Sequence, residues 1–223
     1  DDDQAIHRWT GVDVNLFNKS SDNIEVLSQS YRIPKAIHRV ANKISKRISG
    51  RHEKIFTSRD EEGSVEYVNY LSEVPLSSGS FTLMARTNGY VSEMANYLRS
   101  NGFKFSRNGK SSLSDDMVGN ILTWDTLCQD KSVGVQQLKA LYSGVKKQGK
   151  DAVVRRGSTQ LLDALAPDDM LDMDTLIKDY GLQRDASTSA YDALNVASSE
   201  RDYIDAIFRR GEDLLSSPRI KVS

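Results

Sequence analysis

Two short stretches of this chain combine the residue types that phosphoryl-transfer chemistry needs. Asp1-Asp2-Asp3-Gln4-Ala5-Ile6-His7-Arg8-Trp9-Thr10-Gly11 opens with acids and a carboxamide, groups that together order metal-bound phosphate and water. Gln29-Ser30-Tyr31-Arg32 follows, and an arginine arriving from a second segment can meet the charge that develops on a transferred phosphoryl group. Trp9 sits beside the positive Arg8, a combination suited to stacking on an unpaired base. A third stretch, Arg86-Thr87-Asn88, comes directly after the apolar run Phe81-Thr82-Leu83-Met84-Ala85. Loops at the carboxyl ends of strands are where α/β sheets bind ligands, although Asn88 equally suits the cap of a following helix.

The elements that would carry these groups form an alternating series. Residues 24 to 28 read as a short strand, and Pro34 starts a helix in which Ile37, Val40, Ala41, Ile44 and Ile48 keep helical spacing. Its other face is basic, with Lys35, Arg39, Lys43, Lys46 and Arg47, and Gly50 closes it. Ser64 to Tyr70 alternates like a half-buried strand, whereas Phe81–Ala85 has the unbroken apolar character of a strand in a parallel sheet. A helix carrying Val91, Met94, Ala95 and Leu98 on one side then leads to a strand over Phe103–Ser106, closed by Asn108-Gly109.

Strand and helix alternating at this spacing predict a right-handed parallel α/β layer through about residue 110. From Ser112 to Ser217 the pattern predicts helices alone, over 114–129, 133–147, 158–165, 172–180, 187–196 and 199–214, with breaks at Gly149, Gly157, Pro167 and Gly181. Arg219 to Val222 reads as a strand again, which makes the helical block an insertion within the layer.

Composition narrows the classes. A chain of 223 residues that is 38% hydrophobic can bury a core, and a net charge of −1 places any nucleic-acid surface locally rather than globally. Arg32 to Lys54 holds eight Lys/Arg against the single acid Glu53, and is the place to look for phosphate contacts. The one cysteine, Cys128, excludes an intrachain disulfide and a cysteine-based zinc cluster. A reducing, cytoplasmic (intracellular) setting fits, and no apolar run is long enough for a membrane helix, so no membrane partner is expected. His38 and His52 lack partners at metal-ligand spacing, and the Met170/Met173 and Trp124/Leu127 spacings fit helix packing.

The opening stretch and Gln29-Ser30-Tyr31-Arg32, in this order, resemble the third and fourth motifs of superfamily 1 DNA helicases of the UvrD/Rep/PcrA type, which read roughly G-D-x-x-Q-x-I-Y-x-F/W-R-G and Q-N-Y-R. The resemblance extends along the whole chain in order. It implies an α/β fold of the RecA-like, P-loop NTPase type, in which a second motor domain, 2A, is interrupted by a mostly helical domain, 2B. Residues 1–20 would be the tail of the first motor domain, 1A, residues 21–111 the first part of 2A, 112–217 the 2B-like insertion and 218–223 the return strand.

The resemblance also implies roles. Gln4 would lie beside the γ-phosphate of ATP, Tyr31 would stack on the adenine and Arg32 would reach the γ-phosphate as an internal arginine finger. His7, Trp9, Arg86 and Asn88 would face DNA. His7 stands where the family usually has Tyr, Thr10 where it usually has Arg and Pro34 where Ser or Thr is common, so one cationic DNA contact is missing from the motif. A satisfied structural histidine remains the other reading of His7. The principal ligands of the Mg2+ ion would lie upstream of residue 1, and no metal ligand is assigned within the chain.

The sequence begins at Asp1 and ends at Lys221-Val222-Ser223 before the T-x-H-x-x-K-G-x-E segment the family would place next, which reads as a fragment. It contains no G-x-x-x-x-G-K-S/T phosphate loop, so this chain alone is expected not to hydrolyse ATP. The parent would be an ATP-dependent DNA helicase, taking single-stranded DNA, single-strand/duplex junctions and ATP, with protein partners possible through the 2B-like domain. Two other readings stay open: a helicase-like arm of a helicase–nuclease, and a catalytically silent, helicase-derived interaction module.

Overall fold

The structure, a computed structural model, describes residues 11, 16, 19, 25–49 and 54–223. The chain divides into two compact units, Asp1–Glu73 and Val74–Ser223.

In the first unit, helix α1 spans Lys35–Ser45 and begins directly after Pro34, whose fixed φ of −66° suits a helix start. The orphan N–H groups of its first turn find acceptors in a neighbouring segment: Lys35 N–H donates to Glu61 O at 2.9 Å and Ala36 N–H to Glu62 O at 2.8 Å. Gly63 makes that approach possible. Its φ is +67°, and a Cβ there would lie 2.7 Å from Pro34 Cβ.

The two strands expected in this unit do not form. Residues 25–28 are outside any strand, and the pairing is reduced to a parallel bridge between Gln29 and Thr57. Ser64–Tyr70 also lacks strand structure. Val65, Tyr67 and Val68 are exposed, so the alternating apolar face has no sheet among the described residues to cover it.

The second unit is an α/β layer joined to a set of short helices. Strand β1 (Phe81–Leu83) leads to helix α2 (Asn88–Ser100), then to β2 (Phe105–Arg107) and β3 (Lys110–Ser111). Asn108 and Gly109, both at positive φ, turn β2 into β3, as a two-residue hairpin requires. The last strand, β6 (Ile220–Val222), is parallel to both β1 and β2 and lies between them, giving a four-stranded sheet of order β1-β6-β2-β3. The expected parallel pairing and return strand are thus present, and the sheet is complete only when the chain comes back after residue 219.

Between β3 and β6 the chain forms helices α3 (Asp115–Cys128), α4 (Val135–Gly144), α5 (Ser158–Leu161), α6 (Met173–Asp179), α7 (Ala190–Ala193) and α8 (Ser198–Arg209). Three of their N-termini carry the side-chain caps their sequences offer: Ser114 accepts from Met117 N–H, Asp172 from Thr175 N–H and Ser189 from Asp192 N–H. Expecting helices alone here was incomplete. Strands β4 (Val133–Gly134) and β5 (Met170–Leu171) form an antiparallel pair of two residues each, too short to show a period of two in the sequence. The core runs through this region around Trp124, Leu138, Leu141, Tyr142, Leu162, Leu176 and Ile204. Trp124 is fully buried and its indole N–H donates to Thr188 O at 2.9 Å.

One buried charge fastens the return segment to the sheet. Lys104 is 5% exposed, and its Nζ donates to the carbonyls of Asp213 at 3.2 Å, Leu214 at 2.5 Å and Ser216. This tether sits just ahead of β6. Lys104→Met keeps the stem volume but leaves the carbonyls without their donor, and is expected to cost about 2–3 kcal/mol of stability by urea denaturation. An unchanged urea midpoint would mean that water replaces the ammonium at no loss.

Candidate functional site

The Gln29–Arg32 stretch is a braced turn. The Gln29 Nε2 group donates to Ser58 O at 3.3 Å and Ser30 O at 3.1 Å, Ser30 N–H donates to Thr57 O at 2.8 Å, and Ile33 N–H donates to Ser30 Oγ at 3.3 Å. Gln29 therefore works as a strut, a role the sequence did not indicate beyond its place in the motif. Tyr31, carried by that turn, is 85% exposed. Arg32 is also exposed and makes no ion pair or hydrogen bond with any described residue. A ring and a guanidinium displayed side by side on a held backbone can bind a planar base and an anionic group of the same ligand.

Behind the turn, α1 is clamped to residues 60–62 by ion pairs. Lys35 Nζ lies 2.5 Å from Asp60 and Arg39 pairs with Glu62, while Arg59 pairs with Glu61 within the facing segment itself. The hydrogen bond from Lys35 holds the Asp60 carboxyl below its ordinary 3.8, and the bond from Arg39 holds Glu62 below 4.5. Both folded values are depressed, so this stabilisation is present above the unfolded values and is lost as pH falls through the folded ones. The stability difference between the wild type and a Lys35→Met/Arg39→Met variant should therefore shrink as pH drops below 4.5 and further below 3.8. Melts followed by circular dichroism across that window check it, and a difference independent of pH would remove the clamp from the account.

In the second unit, Arg86 and Asn88 lie at the carboxyl end of β1 and both are exposed. The cap of α2 belongs to Thr87, whose Oγ1 accepts from Tyr90 N–H at 3.5 Å, and Asn88 is the first residue of the helix. That corrects the alternative of Asn88 as the cap. Its side chain bonds to no described residue, and neither does the Arg86 guanidinium. Both are left to face solvent at the position where parallel sheets present their ligand loops.

Gln4, His7 and Trp9 lie outside the described residues, as does His52. His38 packs its ring 4.6 Å from that of Phe56 and its Nε2 is 3.0 Å from Asn42 Nδ2, a structural arrangement. Burial, with Asp125, Asp130 and Asp185 nearby, pushes the Cys128 thiol up, which disfavours a reactive thiolate. Met173 and Leu127 are buried and Met170 is exposed. Among the described residues no group of three or more His, Cys, Asp or Glu is placed to hold a metal ion, and no helix is long and apolar enough to cross a membrane.

Over 87 residues the chain is 37% identical to the ATP-dependent DNA helicase PcrA of Bacillus subtilis (strain 168). The chain carries a helicase-like region. The match takes in 36% of the chain and 12% of the length of that relative. No family model matches the chain, and no solved structure does.

Proposed function

We propose that this chain is part of an ATP-dependent DNA helicase that couples ATP hydrolysis to movement along single-stranded DNA and to duplex unwinding. The observation that carries the reading is the braced turn that displays Tyr31 and Arg32 to solvent, in a chain with a PcrA-like region. The fold is read as RecA-like, with 1–20 the tail of domain 1A, 21–111 the first part of 2A, 112–217 a 2B-like insertion and 218–223 the return to 2A. The parallel sheet with β6 threaded between β1 and β2 supports the last of these assignments.

The Tyr31–Arg32 turn suits a nucleotide in its residue types and in its exposure. When bound, ATP with Mg2+ would supply the free energy for the cycle, and no residue of this chain is assigned as a ligand of the metal. Tyr31 stacks on the base, while Arg32 places a fixed positive charge where the phosphoryl group leaves and Gln4 orients the attacking water. His7 and Trp9 hold DNA on the first motor domain, the indole by stacking. Arg86 and Asn88 hold the strand backbone and base edges on the second. Alone, without a phosphate loop, the chain hydrolyses no ATP.

The test is ATP hydrolysis by the protein encoded by the whole reading frame, measured with and without single-stranded DNA. DNA-stimulated hydrolysis that collapses in Gln4→Ala supports the motor. A folded protein with no hydrolysis overturns it and leaves the silent interaction module.

A further inference from the structure

Helix α1 and residues 62–67 enclose an open groove of about 720 Å3 within the first unit. Along the helix side, Arg39, Lys43 and Lys46 recur at the i, i+4, i+7 spacing that puts side chains on one face. Their surroundings differ. Arg39 is engaged by Glu62, whereas Lys43 and Lys46 have no ionic partner among the described residues. The facing wall carries Val65 and Tyr67, and Tyr67 is 88% exposed.

This combination selects among anionic ligands. Free ammonium groups in a row along one helix face suit a ligand with repeated negative charge, and a lone phosphate ion would use only one or two of them. The exposed phenol ring opposite adds a flat apolar surface on which a base can stack. Residues 61–68 belong to no ladder, so the wall has room for a chain to lie along it. An acidic peptide would match the cations but leave the ring without use.

We infer that the groove between Lys43/Lys46 and Tyr67 is a contact site for single-stranded DNA, its backbone along the lysines and a base on the tyrosine. The inference rests on the helicase reading, and adds a contact surface separate from His7, Trp9, Arg86 and Asn88. The two lysines neutralise phosphates and contribute to the salt dependence of binding, and Tyr67 contributes an affinity that salt does not screen.

The test is fluorescence anisotropy of a labelled oligo(dT) on the 223-residue chain across a salt series, comparing the wild type with Lys43→Gln/Lys46→Gln and with Tyr67→Ala. All three side chains lie on the surface of the groove, and circular dichroism confirms that each variant folds. The lysine variant should flatten the plot of log affinity against log salt by about 1.4, at about 0.7 for each single-strand phosphate that is no longer neutralised. Tyr67→Ala should weaken binding about tenfold with the slope unchanged. An oligo(dT)-binding chain whose slope and affinity are the same in both variants overturns the groove. So does polyglutamate that displaces the DNA from the wild type but not from the lysine variant, because that marks an acidic-peptide site. Hydrolysis by the whole-reading-frame protein is read separately: if it persists while the groove variants bind normally, the groove fails and the helicase reading stands.

Discussion

Arg32→Ala, made in the protein encoded by the whole reading frame, should lower DNA-stimulated ATP hydrolysis by about 10³-fold or more, while stability changes by no more than about 0.5 kcal/mol. The two halves of that expectation come from one observation. Arg32 is exposed and bonded to no described residue, so its removal takes nothing from the folded structure. An uncommitted guanidinium on a braced turn is available to a phosphoryl group, and the loss appears in the rate because the contact strengthens only as charge develops. Arg32→Lys should rescue little, since a point charge on a flexible stem does not reproduce the planar fork. Tyr31→Ala should instead act mainly through KM for ATP, as expected of a ring that holds the base equally in ground and transition states. Steady-state kinetics on the three variants separate the roles. An Arg32→Ala protein with an unchanged kcat would remove the arginine from the chemistry, whatever the fate of the tyrosine.

The sequence made this turn visible because its residue types carry the chemistry, while the bracing was hidden because it runs through the backbone. Gln29 reaches carbonyls of Thr57 and Ser58, and no side-chain pattern at those two positions signals the contact. Local signals served well where a single element decides the outcome. Asn108-Gly109 adopts the positive φ pair its composition favours, and the helices after Ser114 and Asp172 start at the residues that cap them. Asn88 failed as a cap because Thr87, one position earlier, has a side chain equally able to accept from the first turn. Alternation over Ser64–Tyr70 failed for a different reason: a strand needs a neighbour, and a period of two carries no information about whether one arrives. The reading of Arg219–Val222 as a strand held because Ile220–Val222 has partners on both sides and becomes the central parallel strand. The place of Arg86 just beyond a strand was legible from the apolar run before it, although the strand is only Phe81–Leu83 and none of its residues is buried.

The largest stability effect is expected at Gly102, in the turn between α2 and β2. Gly102→Ala should cost at least about 3 kcal/mol in urea denaturation, whereas Gly109→Ala should cost only about 1–2 kcal/mol. The two glycines share a left-handed backbone, with φ of +69° and +76°, so the conformational strain of adding a methyl group is nearly the same for both. Their surroundings separate them. A Cβ at Gly109 meets nothing within 4 Å, but at Gly102 it would lie 2.3 Å from the carbonyl oxygen of Ala206 and 2.9 Å from Ile207 N. Those atoms belong to the backbone of α8, which cannot rotate aside as a side chain would.

Moving α8 would disturb several contacts at once. The Tyr203 hydroxyl donates to Phe103 O at 2.8 Å, Arg99 lies 4.3 Å over the Tyr203 ring and pairs with Glu200, and Arg210 lies 3.6 Å over Phe103. Arg219 and Lys104 then connect the segment after α8 to residues 77–79 and to the sheet, so displacement at Gly102 propagates toward the central strand β6. The difference between the two alanine variants isolates the clash from the φ strain they have in common. Equal costs at the two positions would mean that α8 shifts freely, and that the return strand is held by its ladder and the Lys104 tether without help from the helix that precedes it.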